Sequence, residues 1–153
     1  SNDAGSGDMA MNTEQPDKSK IVESSDTSTQ IRDNKGERHT GSIPMPDNVE
    51  LPALESQLKE MLRQMDFRIV SSESGNDYLK LETNEMTGVN KSGETVDYKI
   101  ELTVDRNKSD KLKVSLVYYQ SDKDIAPEQK VRTIEEIFYN RMAGEIKSIF
   151  SEQ

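Results

Sequence analysis

Few residues in this chain could do chemistry, and the scarce reactive types decide what chemistry is open to it. Across 153 residues there is one histidine, His39, and no cysteine or tryptophan. A general base has to be held within hydrogen-bond reach of the proton it takes. His39 lies in a stretch with no sustained apolar period, so it reads as a solvent-exposed residue without a catalytic role. With no second histidine and no thiolate, the usual zinc ligand sets are excluded, as are disulfides and cysteine nucleophiles. Carboxylates are plentiful, 29 against 20 Lys and Arg, but no Asp-x-Asp-x-Asp-Gly calcium loop occurs. Glu135-Glu136 and Asp122-Lys123-Asp124 read as solvated surface. Gly5-Ser6-Gly7 is short and follows no predicted strand, so it is no phosphate loop. No Gly-x-Ser-x-Gly elbow exists. The sequence therefore predicts no catalytic residue, no metal site, no cofactor and no enzyme.

One set of residues stands out for binding. Val70, Tyr78, Val117 and Tyr119 are apolar or aromatic at positions where a half-buried sheet should be polar. As neighbours they would form an exposed patch, and such patches mark contact sites. The competing reading is ordinary cross-strand pairing of aromatic and β-branched residues, which stabilises any sheet.

The elements that would position these residues follow from periodicity. Val96 to Val104 alternates apolar and polar without a break, the pattern of a strand with one oily and one wet face. A polar turn at Arg106–Asp110 joins it to a second alternating run, Leu112–Tyr119, and the two make a β-hairpin. Phe67–Ser72 and Tyr78–Thr83 read as two further strands around the turn residues Glu73–Asp77. Asn84–Thr95 is a connection that can extend its flanking strands into a hairpin arm, with turn signals at Gly88 and Asn90–Gly93. Leu54, Leu58, Met61, Leu62 and Met65 form one helical stripe within Asp47–Met65. Pro52 suits its first turn, and Glu55 adds a favourable charge there. A last helix is expected from near Glu128 to Phe150, on a stripe of Val131, Ile134, Phe138, Met142, Ile146 and Ile149, with Gly144 as a weak point or a close approach.

This order predicts an α+β two-layer sandwich. A four-stranded antiparallel meander carries an N-terminal and a C-terminal helix on one face, α-β-β-β-β-α, built from residues 47–153. Residues 1–46 hold few large apolar side chains and read as a disordered polar tether, stiffened near Pro44-Met45-Pro46.

Charge narrows the partners. The net charge is −9, and 31% of residues are hydrophobic. Nucleic acid needs a basic surface, so it is excluded as the expected partner, as is an anionic membrane met through charge alone. No apolar run approaches the ~18 residues of a membrane span. No signal-peptide h-region is present. A chain beginning at Ser1 is expected to be a processed or truncated product, with Ser1-Asn2 consistent with a remnant of tag removal, and it leaves room for a targeting segment ahead of it.

Two stretches resemble a known family. Leu58-Lys59-Glu60-Met61-Leu62-Arg63-Gln64-Met65-Asp66-Phe67-Arg68-Ile69-Val70-Ser71-Ser72-Glu73 is similar to the helix-then-strand step of small bacterial envelope lipoproteins. There a leucine-rich helix ends in a Gly-Phe-x-Val-like step, and here Asp66 stands where glycine is more usual. Phe138–Phe150 is similar to the closing helix of such domains, and the whole of roughly residues 50–150 resembles the helix-and-sheet domains of BamC-like accessory lipoproteins. The resemblance implies a lipid-anchored domain on the periplasmic face or surface, with its lipidated cysteine ahead of Ser1 and the polar tether as spacer. It implies a non-enzymatic assembly accessory that binds another envelope protein through the sheet face or a strand edge. Two alternatives stay open. One is an acidic cytoplasmic secretion-chaperone-like module, although such modules usually carry a helix between strands. The other is a small-ligand binder with its site between helices and sheet.

Overall fold

The alternating stretch around Ile100 forms the longest strand of an antiparallel sheet. The computed structural model describes residues 10–11, 36–126 and 132–153. Its strands are β1 (Ala10–Met11), β2 (Glu37–Pro44), β3 (Ile69–Ser74), β4 (Tyr78–Thr83), β5 (Met86–Val89), β6 (Thr95–Asp105) and β7 (Lys111–Gln120). They lie in the order β1-β2-β7-β6-β4-β3, and β5 also pairs with β6. Helix α1 (Leu51–Gln64) joins β2 to β3, and a C-terminal helix follows β7. The fold is α+β with an antiparallel sheet.

The predicted meander is present as β3, β4, β6 and β7, but the sheet is larger than four strands. The connection after β4 becomes β5, which runs on along β6 beyond β4. The register slips by one residue between them, from Glu82↔Glu101 to Met86↔Tyr98. Such a slip is what a bulge produces. Thr83 fills it: its Oγ1 accepts the Ile100 N–H at 2.9 Å and donates to the Asn84 carbonyl at 2.9 Å.

The larger correction concerns residues 1–46. Residues 37–44, expected within the tether, form β2, paired antiparallel to β7 from Glu37↔Tyr118 to Pro44↔Lys111. The inward positions of this strand are Glu37, His39, Gly41 and Ile43, with one large apolar side chain among four. Period-two hydrophobicity could not reveal it, because ladder hydrogen bonds and side-chain polar contacts hold it instead. Gly36 continues the strand direction, and a Cβ there would overlap the Tyr119 ring. Apart from Ala10, Met11 and residues 36–46, the predicted tether lies outside the described residues.

The core sits between one sheet face and the helices. Leu54, Leu58 and Leu62 of α1 are fully buried with Leu81, Leu102, Val104, Leu112, Val114 and Leu116 of the sheet. Helix α1 ends in a Schellman motif: Phe67 N–H reaches the Leu62 carbonyl at 2.9 Å, and Asp66 N–H reaches Arg63 at 2.9 Å. Asp66 takes a positive φ of 70° to make it. Glycine suits that conformation better than aspartate does. Glu55 lies beyond the first turn of α1. Its carboxylate is held by Lys59 at 2.8 Å and by the Ser72 hydroxyl at 3.0 Å.

The C-terminal helix begins with α2 (Ile134–Glu136), widens into a π-helical stretch (Ile137–Met142) and ends as α3 (Ala143–Ser151). The predicted start near Glu128 falls outside the described residues. Thr133 and Glu136 form a reciprocal capping box at its N-terminus, with bonds of 3.2 and 3.0 Å. The buried residues Ile134, Phe138, Met142, Ile146 and Phe150 recur every four positions. In an α-helix a four-residue step overshoots a turn by ~40°, so five such residues would wander off one face. A π-helical stretch turns less per residue and brings the stripe back. Gly144 is exposed and a Cβ there would meet open space, so it serves no close approach.

Candidate functional site

The lone histidine is placed where the sequence did not put it. His39 sits in β2 opposite Leu116, and its ring stacks on Tyr118 with centroids 5.7 Å apart. The Tyr118 hydroxyl donates to Glu37 Oε1 at 3.2 Å and stands 3.5 Å from His39 Nε2. Burial, and then the carboxylate of Glu37, push the Tyr118 phenol well above its ordinary value. A phenol so held is a hydrogen-bond donor and no base at neutral pH. The cluster caps the end of the inner sheet face with polar groups.

On the opposite face, register sets the side chains in cross-strand rows. One row is Glu82, Glu101, Ser115 and Thr40; the next is Lys99, Val117 and Arg38; a third holds Thr87, Asp97 and Tyr119. Lys99 Nζ lies 2.7 Å from Glu82 and 3.8 Å from Glu101, and Arg38 donates to Glu101 at 2.8 Å. Asp97 accepts from Thr87 at 2.8 Å and faces Lys123 at 3.6 Å. Asp97, Lys99 and Glu101 are all buried, so this wet-patterned row of β6 is an interior ion network. Carboxylates matched to cations in this way fix the geometry of the strands that carry them. Among the described residues no three His, Asp or Glu side chains converge as a metal site.

The four residues singled out for binding do not come together. Val117 and Tyr119 are each 1% exposed and pack within this polar face, outside the main apolar cluster. Tyr78 is half-buried at the far end of the sheet, opposite Asp105. Val70 alone is open, at 51% exposure, and among the described residues it is the one large hydrophobic so exposed.

Val70 lies on β3, the last strand of the sheet. The register jumps from Ile69↔Thr83 to Ser71↔Glu82, which leaves Val70 as the extra residue of a bulge. Beyond it Ser71–Ser74 run along the edge, and no described strand pairs on their outer side. An open edge presents backbone N–H and C=O groups as a template for another extended chain. Sequence reasoning named Val70 but not Ser71–Ser74, because strand order is a tertiary property that no local period reports. Of the other residues it missed, Glu82, Lys99 and Glu101 had only their alternation to mark them, and Arg38 had no local signal. Comparison with protein-family models, with curated proteins and with solved structures finds no match to this chain. Among the described residues no helix is long and apolar enough to cross a membrane.

Proposed function

We propose that this chain is a non-enzymatic bacterial cell-envelope module that captures another envelope protein by strand addition at β3. The observation that carries this reading is the open edge Ser71–Ser74 with Val70 exposed beside it. Main-chain hydrogen bonds would supply affinity, and a partner side chain against Val70 would supply register. The envelope setting rests on the resemblance of Leu58–Glu73 and Phe138–Phe150 to lipoprotein domains, with a lipidated cysteine ahead of Ser1 and the polar N-terminal stretch as spacer. The test is a photo-crosslinking amino acid at Val70, activated in the native envelope. The expected result is one dominant adduct, lost on Ser72→Pro and absent when the probe stands at Lys113. Adducts of equal yield from both positions would sink the proposal. The precursor gene tests the setting separately: an apolar segment ending in cysteine is expected before Ser1.

A further inference from the structure

A cleft of about 160 Å³ opens on the polar face of the sheet, at the β6–β7 hairpin end. Its walls include Tyr78 on β4, Thr103 and Asp105 on β6, and Lys111 and Lys113 on β7, while Lys108 and Ser109 close it from the turn. Register places Lys80 in the same row as Thr103 and Lys113, one strand beyond the cleft wall. The chain has an excess of carboxylates, 29 against 20 Lys and Arg. Even so, among the described residues no carboxylate lies within ion-pair reach of Lys80, Lys108, Lys111 or Lys113, while Lys59, Lys99 and Lys123 are all paired.

Lys111 and Lys113 alternate onto one face of β7, and like charges so placed repel one another. Glu82 and Glu101 stand one row away, but they are already committed to Lys99 and Arg38. Asp105 is the one carboxylate in the wall. It is turned to the hairpin backbone, accepting the Asn107 N–H at 3.1 Å. The Ser109 hydroxyl likewise accepts from Lys111 N–H at 3.3 Å and braces the turn. The cations are thus held beside a concavity that the protein's own acids do not fill. Lysine ammonium groups are point-charge binders of phosphate. The cleft has room for several waters, and so for a phosphoryl group.

We infer that this cleft is an anion site for a phosphate group, separate in its residues from the β3 edge. The phosphate could come from a free monoester or from a phospholipid headgroup, and the experiment separates them. Amide chemical shifts of the full chain are followed while inorganic phosphate, and then glycerol 3-phosphate, replaces chloride at constant ionic strength. Parallel sedimentation uses phosphatidylglycerol vesicles. The expected result is saturable shifts confined to Tyr78, Thr103 and 108–113, with affinity weakened at least about tenfold in Lys111→Gln/Lys113→Gln. Both lysines are exposed, so unchanged shifts in the core will show that this variant is folded. Saturable shifts with either solution phosphate assign a free ligand. Vesicle binding that the variant loses, without solution shifts, assigns the headgroup. Shifts that rise linearly in wild type and variant alike, with no vesicle binding, would overturn the site.

Discussion

Replacing Glu101 with glutamine probes the ion network that fastens β2 to the rest of the sheet. Arg38 Nη1 and Glu101 Oε1 are 2.8 Å apart, with side chains 11% and 10% exposed. At that separation the attraction is gross about 6 kcal/mol for an effective dielectric constant of ~20. Desolvation of both ions cancels much of it, so the pair itself adds little over an apolar pair. Removing one partner is different, because it strands the other. Breaking a buried pair costs about 3–5 kcal/mol. Here Lys99 keeps Glu82 at 2.7 Å, and about a tenth of each side chain still meets water, so we expect about 2–3 kcal/mol for Glu101→Gln. Arg38 also has a buried Nε without a hydrogen-bond partner, which leaves it little to fall back on. The assay is urea unfolding of the wild type, Glu101→Gln, Arg38→Met and the double Arg38→Met/Glu101→Leu. The double variant is expected to lose less than either single one, with a coupling of about 1–3 kcal/mol. Single losses under about 0.5 kcal/mol, the range of a surface pair, would refute a structural role for the network.

Three further outcomes follow from local geometry. Asp66→Gly is expected to stabilise by about 0.5 kcal/mol in the same assay, since relief of positive-φ strain outweighs the added freedom of the unfolded chain; a loss of stability would contradict the Schellman reading. Gly144→Ala is expected to raise stability by about 1 kcal/mol, because its Cβ meets open space in a helix. Hydrogen bonding to Lys59 holds the Glu55 carboxyl below its ordinary 4.5 despite partial burial. Its contribution is present above that value and is lost as pH falls through the lowered folded one. Glu55→Gln should therefore cost about 0.3–0.5 kcal/mol at neutral pH and nothing well below pH 4.5, as read from stability measured against pH.

The parts of this fold legible in the sequence are those that bury apolar side chains at a regular period. The Val96–Val104 strand, its β7 partner and the α1 stripe are of that kind, and they appear close to where their periods place them. β2 was illegible because Gly41 and His39 occupy inward positions and only Ile43 fills the core. The π-helical stretch was illegible as such, although the strict four-residue spacing from Ile134 to Phe150 contained its cause. The outer face misled for a related reason: Lys99 and Glu101 alternate as wet residues do, but pairing with Arg38 and Glu82 lets them be buried. Of the binding candidates, Val70 could be read from its type alone. Whether it lay beside Tyr78, Val117 or Tyr119 depended on strand order and register, which local pattern does not encode.

Strand capture at β3 is tested most directly by amide hydrogen exchange across Ser71–Ser74, with and without the partner crosslinked through Val70. Strand addition predicts that edge amides free in the isolated chain become protected in the complex, while those of β6 stay unchanged. Equal exchange at Ser71–Ser74 in both states, with protection elsewhere on the surface, would contradict it.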